Sequence, residues 1–394
     1  MFNGERLSEL RILNGFSRQE LAEKLSISEQ AVWQYESDES IKPKMSTLLS
    51  LCHLFGVEIN YFELDSTPSF IDTSAIAFRN GDLNSKKVIH IQEIYLNKVH
   101  QIFNYLDKYV EAPHLSIYSL VDEVHEKFLS CNEWDSQTIE FIANLSRKKL
   151  GIADDNSNLL YQIEASGINV LSRFLSKESS VDAYSLWTKD SIPYIVLGKG
   201  KSAVRRNFDL AHELGHLILH KFIDFEDLDK TKQAEKENEA NNFASFFLMP
   251  KDTFRKDFEN LVGIKNSNPD NYINLKLKYN VSIQALEYRA YKLGYLTPAQ
   301  NSYFYRLIAK RNYKTVEPRD LELPVYKPGK LRAMLKMVLS NHLIDLQSLL
   351  GSQRVTRQFI SELLDLEEGF FNEFVTTNGD YDSIIKIGDY IKKA

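Results

Sequence analysis

His212, Glu213 and His216 fall within five residues of the stretch LAHELGHLILH. On a helix, positions i and i+4 lie one turn apart, so both imidazoles can reach a single cation. The glutamate beside the first histidine can then sit over water held by that cation and act as general base. Zn2+ would bring the pKa of such water to roughly 7, making hydroxide available at neutral pH. The flanking residues Leu210, Ala211, Leu214, Leu217 and Ile218 are apolar. This helix is therefore expected in a core, where two histidines and a glutamate are costly unless partnered. Downstream, Glu237 and Asn241 again stand one turn apart. Glu237 would complete a site of two histidines and one carboxylate, leaving a fourth position for water. Asn241 could hold a liganding histidine by its second ring nitrogen. Glu239 is the rival ligand, but on a helix it points about 160° away from Glu237.

The elements around this constellation follow from periodicity. INVLSRFL, VDAYSLWT and SIPYIVLG are short β-branched or aromatic runs, read as three strands. After Gly198-Lys199-Gly200 a long helix is expected over about 203–220. A charged loop follows over 221–232, then a second helix over about 233–248 that Pro250 stops. His220 lies about 80° around the first helix from His212, counting about 100° per residue. It suits a helix-end or supporting role better than that of a transition-state stabiliser. Arg205 and Arg206 read as surface charge.

The first 65 residues form a separate pattern. Ser17 and Glu20 make a capping box for SRQELAEKL, and the short turn Ser26-Ile27 follows. Ser28 caps EQAVWQYE, and two further short helices end the region. Five short helices with a tight turn between the second and third describe a helix-turn-helix domain. Its third helix would enter the DNA major groove with Ser28, Glu29, Gln30, Trp33 and Gln34 outward, since Gln pairs well with adenine. Arg18 and Gln19 would lie near phosphates.

Composition limits these readings. At about 150 residues per domain, 394 residues suggest two or three domains. There is no apolar run of about 18 residues to span a membrane, and no apolar signal core at the N-terminus. Cys52 and Cys131 stand far apart without a CxxC, which excludes a cysteine-built zinc finger and fits a reducing cytoplasm. Cys52 falls on an apolar helical face and is expected in the core. Residues 1–65 hold six Lys/Arg against eleven Asp/Glu. Phosphate contacts supply much of DNA affinity, so a monomer should bind weakly and a homodimer is expected. No internal repeat is evident. NVSIQALEYRAYKLG, 280–294, has the pattern of a second helix-turn-helix-like unit, which core packing explains equally well.

RRNFDLAHELGHLILH followed by ExxANxFAxxFLMP resembles the ImmA/IrrE family of zinc metallopeptidases, over roughly 137–295. The N-terminal unit resembles the XRE family of helix-turn-helix domains. The resemblance implies Zn2+ on His212, His216 and Glu237, Glu213 as catalytic base, and cleavage of a helix-turn-helix repressor as the regulatory act. The expected fold is mainly α with a small sheet (α+β), in four parts. These are a helix-turn-helix domain at 1–65, a linker and helical connector at 66–136, a zincin-like peptidase domain at 137–298, and a mostly helical region of unassigned role at 299–394. The expected protein is a cytoplasmic DNA-binding regulator with a zinc endopeptidase. Its substrate would be a partner repressor or this chain's own linker at 66–90. The alternatives are a regulator whose peptidase-like domain only senses or binds, and a toxin–antitoxin or phage-defence component.

Overall fold

A computed structural model describes residues 1–65, 69–72, 77–78, 86–110, 116–128, 134–175, 182–225 and 227–374. Cys131 and most of the segment read as a linker lie outside them. The chain divides into two units: residues 1–67, 102–110 and 332–394 in one, and 68–101 and 111–331 in the other.

The first unit opens with helices Gly4–Leu13, Arg18–Leu25, Glu29–Ser37 and Met45–Phe55. The fifth expected helix is a 3-10 turn, Ile59–Glu63. The capping box is formed: the Ser17 side chain accepts from the Glu20 N–H, and the Glu20 carboxylate accepts from the Ser17 N–H. Ser26, with φ 54°, ends the second helix in the left-handed region, and the Ser28 hydroxyl accepts from the Ala31 N–H. Leu7, Leu10, Leu21, Val32 and Leu51 are fully buried between these helices. Cys52 is half-buried, not in the core as expected, because the turn of helix that carries it faces partly outward. The later part of the unit holds helices Leu346–Gln353 and Arg357–Leu364, preceded by Lys330–Ser340.

The second unit is built around a four-stranded sheet: β1 (Ala77–Phe78), β2 (Asn169–Arg173), β3 (Ala183–Trp187) and β4 (Pro193–Gly198), in the order β1-β3-β4-β2. The three expected strands are present. The fourth, β1, comes from the segment read as linker and pairs antiparallel to β3, with Ala77 opposite Ser185. A two-residue strand is too short to leave a pattern in sequence. β3 and β4 form an antiparallel hairpin, and β2 runs parallel to β4. β3 and β4 are buried along their whole lengths, so both faces of the sheet are covered.

Helix Ala203–Leu219, which carries the histidine motif, packs on this sheet, and every residue from Asp209 to Leu219 is buried. Helix Lys230–Leu248 packs on it in turn; it starts three residues earlier than expected because Asp229 caps it at the Lys232 N–H. Gly215 permits this close approach. A Cβ there would lie 3.0 Å from the Phe243 ring. Helix Ser136–Leu150 braces the second helix, where Arg147 donates to the Phe247 carbonyl at 2.7 Å and to Asn156 Oδ1 at 2.6 Å. The apolar core of this unit runs from Ile117 to Ile308.

Candidate metal centre

The two packed helices bring His212, His216 and Glu237 together, with one ligand atom of each within 4.8 Å of the others. The Nε2 atoms of His212 and His216 lie 3.0 Å apart. Glu237 presents one oxygen 3.4 Å from His212 Nε2 and the other 3.3 Å from His216 Nε2. Both histidines are almost wholly buried.

The outer atoms of the rings decide what the inner atoms can do. His212 Nδ1 lies 3.1 Å from Asn241 Oδ1, which can only accept, so Nδ1 carries the proton and Nε2 presents a lone pair. On the other side, His220 Nε2 lies 2.8 Å from Glu239 Oε2 and donates to it. His220 Nδ1 is then an acceptor, and His216 Nδ1, 3.0 Å away, donates to it. His216 Nε2 is left with its lone pair inward. Two lone pairs and a carboxylate thus converge in a buried space, and Glu237 Oε2 has no hydrogen-bond partner. This donor set fits a divalent cation that accepts nitrogen and oxygen ligands.

Carboxylates dominate the electrostatics of the centre. Burial pulls the Glu237 carboxyl up, but the two imidazoles on it prevail and hold it at about 2. Burial works against the charged form of His216, yet Glu237, Glu213 and Glu239 push its pKa up. These carboxylates supply the negative field that a cation would neutralise. Burial lowers His220 to about 4 against the pull of Glu239, so it bridges as a neutral ring.

Glu213 is fully enclosed beside this cluster. Ser185 of β3 donates to its Oε2 at 2.8 Å and to its backbone carbonyl at 3.2 Å. Burial raises the Glu213 carboxyl to about 8, against the opposing effects of His216 and Ser185. A small pocket of about 20 Å³ lies beside the site, lined among others by Ser185, Trp187, His216, His220 and Phe225.

Glu239, the rival ligand, faces away from His212 and is held by His220 and Lys236. Arg205 and Arg206 are taken up structurally, by Asp182 and by Ser172. Ser185 escaped the sequence reading, since a serine inside a buried strand has no spacing to announce it.

Two domain families account for these arrangements. Residues 163–291 match the family model described as an IrrE N-terminal-like domain, and residues 7–62 match a helix-turn-helix model. The chain thus joins a domain similar to IrrE-type domains to an N-terminal domain similar to helix-turn-helix domains. No curated protein matches the chain. The IrrE-like domain contains the whole metal constellation, and the helix-turn-helix domain contains every residue expected to face DNA.

In the helix-turn-helix domain Gln30 and Trp33 are exposed and Gln34 is half-buried on helix Glu29–Ser37. Ser28 is committed to its cap. Gln19 donates to Glu23 Oε1 at 3.1 Å, and Arg18 donates to Glu36 Oε2 at 2.7 Å. The unit at 280–294 has the turn geometry expected of it, with Asn280 left-handed and Ser282 as cap. Its helix Ile283–Lys292 is built into the core, and Glu317 covers the helix start by accepting from the Ile283 N–H at 2.8 Å.

Proposed function

We propose that this protein is a DNA-binding regulator whose IrrE-like domain is a zinc-dependent endopeptidase acting on a repressor-type partner protein. The observation that carries the reading is the convergence of His212, His216 and Glu237 beside a Glu213 held in place by Ser185. His212, His216 and Glu237 would hold Zn2+, with Asn241 fixing the tautomer of His212. Zinc, when bound, would polarise a peptide carbonyl and make water acidic enough to ionise near neutral pH. A cation beside Glu213 would favour its charged form, in which it would accept the proton of the attacking water and return it to the leaving amine. Ser185 keeps the Glu213 carboxylate oriented for both transfers.

The helix-turn-helix domain would bring this activity to double-stranded DNA, with Gln30, Trp33 and Gln34 toward base edges and Arg18, Gln19 and Ser28 toward the backbone. The acidic balance of residues 1–65 favours a homodimer on its site. Among the described residues no helix is long and apolar enough to cross a membrane, and this accords with a cytoplasmic regulator.

Elemental mass spectrometry on wild type and Glu237→Ala tests the centre. About one zinc per wild-type chain, lost in the variant, is the expected result. Co-expression with helix-turn-helix repressors encoded nearby then tests the activity, with Glu213→Gln as control. A cleavage present in wild type and reduced by about two to four orders of magnitude in Glu213→Gln supports the reading. Absence of zinc from wild type after zinc is supplied refutes it.

A further inference from the structure

The last described helices repeat the DNA-reading motif of the N-terminus. Ser17 and Ser28 cap the two helices of the first motif, and Asp345 and Thr356 cap Leu346–Gln353 and Arg357–Leu364 at the same separation. Asp345 accepts from the Ser348 N–H as Ser17 does from that of Glu20, and Thr356 accepts from the Phe359 N–H as Ser28 does from that of Ala31. The turn closes on a left-handed residue in both, Ser26 and Arg354, each with φ 54°. The inward positions also correspond. Leu21 and Leu349 are fully buried, as are Val32 and Ile360. A helix precedes each pair, Gly4–Leu13 in one and Lys330–Ser340 in the other. Only Gln19/Gln347, Leu21/Leu349 and Gln30/Gln358 are identical between 17–37 and 345–365, so the repeat is hidden in the sequence.

One of those identities lies on the outer face. Gln358 occupies the place of Gln30, the residue expected to read adenine, and both are exposed. Arg357 stands where the first motif has Glu29, and it too is exposed. A cation replaces an anion at the start of the helix, where phosphates pass closest. The two motifs are joined by backbone hydrogen bonds. Glu58 N–H donates to the Arg354 carbonyl and Thr356 N–H donates to the Gly56 carbonyl, both at 2.9 Å, with Val57 bridging Val355. Gly56 is left-handed with φ 65°, and a Cβ there would lie 3.0 Å from Thr356 Oγ1.

We infer that residues 345–364 are a second DNA-reading helix-turn-helix, with Arg357 and Gln358 on its recognition helix, so that one chain presents two readers to double-stranded DNA. Linkage within one chain makes engagement of the second reader intramolecular once the first is bound. The second motif is also less acidic than the first, since residues 330–374 carry five Lys/Arg against six Asp/Glu, whereas residues 1–65 carry six against eleven. This inference rests on the DNA-binding reading above and is independent of the peptidase activity.

The test uses the full chain and a random-sequence duplex library. A duplex recovered by wild type is then titrated with Arg357→Ala/Gln358→Ala and with Gln30→Ala/Gln34→Ala, each checked for an unchanged thermal melt. Both pairs are expected to weaken binding about ten-fold or more. Hydroxyl-radical footprinting should show two protected stretches per wild-type chain, one lost in each variant. If Arg357→Ala/Gln358→Ala fails to fold, the wild-type footprint and Arg357→Glu, which installs the residue of the first motif, decide the matter. Wild-type affinity in the Arg357/Gln358 variant, with loss in the Gln30/Gln34 variant, overturns the second reader and leaves the first standing. Recovery of no sequence by wild type overturns both.

Discussion

His216 and His220 face each other through their Nδ1 atoms at 3.0 Å, and His220 Nε2 meets Glu239 at 2.8 Å. The Glu239 carboxylate therefore sets which nitrogen of His216 is free, two rings away. Lys236 holds Glu239 in turn, at 3.0 Å. Glu239→Gln can present its NH2 to His220 and so release the preference for an inward lone pair. Zinc affinity, measured by competition with a chromophoric chelator, is expected to fall about ten- to hundred-fold while the site still binds. An affinity equal to wild type would show that the relay has no bearing on the centre.

Gly215 belongs to the histidine motif without touching a cation. A Cβ at this position would meet Phe243 Cδ1 at 3.0 Å, Cγ at 3.2 Å and Cβ at 3.3 Å, on a side chain that is fully buried and stacked on Phe247. Neither ring has room to yield. Gly215→Ala should destabilise the IrrE-like domain by about 1–3 kcal/mol through overpacking, despite the better helix propensity of alanine. Spreading the two helices also separates Glu237 from the histidines, so zinc affinity should fall with stability. A variant that melts at or above the wild-type temperature would contradict this.

How much of this was legible in the sequence depends on the range of the contact. The i and i+4 spacing of His212 with His216, and of Glu237 with Asn241, is local, and the structure brings all four side chains to one place. The Ser17 and Ser28 caps were legible for the same reason. The support of Glu213 by Ser185 was not, because it depends on which strand of the sheet lies under the helix. The C-terminal reader was not legible because its repeat is kept in caps, turn and buried positions, while the residues themselves have changed. Leu349 and Ile360 preserve volume and burial where Leu21 and Val32 stood, and that is all the fold demands of them.

Glu287 provides a pH handle away from the metal centre. Burial raises its carboxyl to about 7, against hydrogen bonds from Tyr305 and Asn301. An unfolded glutamate titrates at 4.5. The folded state thus holds the proton more tightly, and the associated stability is fully present below about pH 4.5 and is lost as the pH rises through 7. Glu287→Gln keeps an acceptor for Asn301 and carries no charge at any pH. Its melting temperature should match wild type near pH 4.5 and exceed it by a few degrees at pH 8. Melting curves at the two pH values check this; a gain that is the same at both would remove the titration of Glu287 as its cause.

Arg18 tests how far an internal ion pair spends a charge that would otherwise meet DNA. Its Nε donates to Glu36 Oε2 at 2.7 Å, and the same carboxylate receives Arg11 Nε at 2.5 Å and Arg11 Nη2 at 3.1 Å. The Glu36 side chain is 3% exposed, against 42% for Arg18. Removing Glu36 leaves Arg11 buried without its counter-charge, so Glu36→Ala should cost about 3 kcal/mol or more. Arg18→Ala loses only a half-exposed pair and should cost under about 1 kcal/mol. Glu36 shares its one negative charge between Arg11 and Arg18, so it neutralises Arg18 only in part, and Arg18 is expected to contribute less than one full phosphate contact. The slope of log affinity against log salt should then change by less than about 0.9 in Arg18→Ala. A full unit of change, measured on the duplex recovered by wild type, would mean that Arg18 leaves Glu36 for a phosphate on binding.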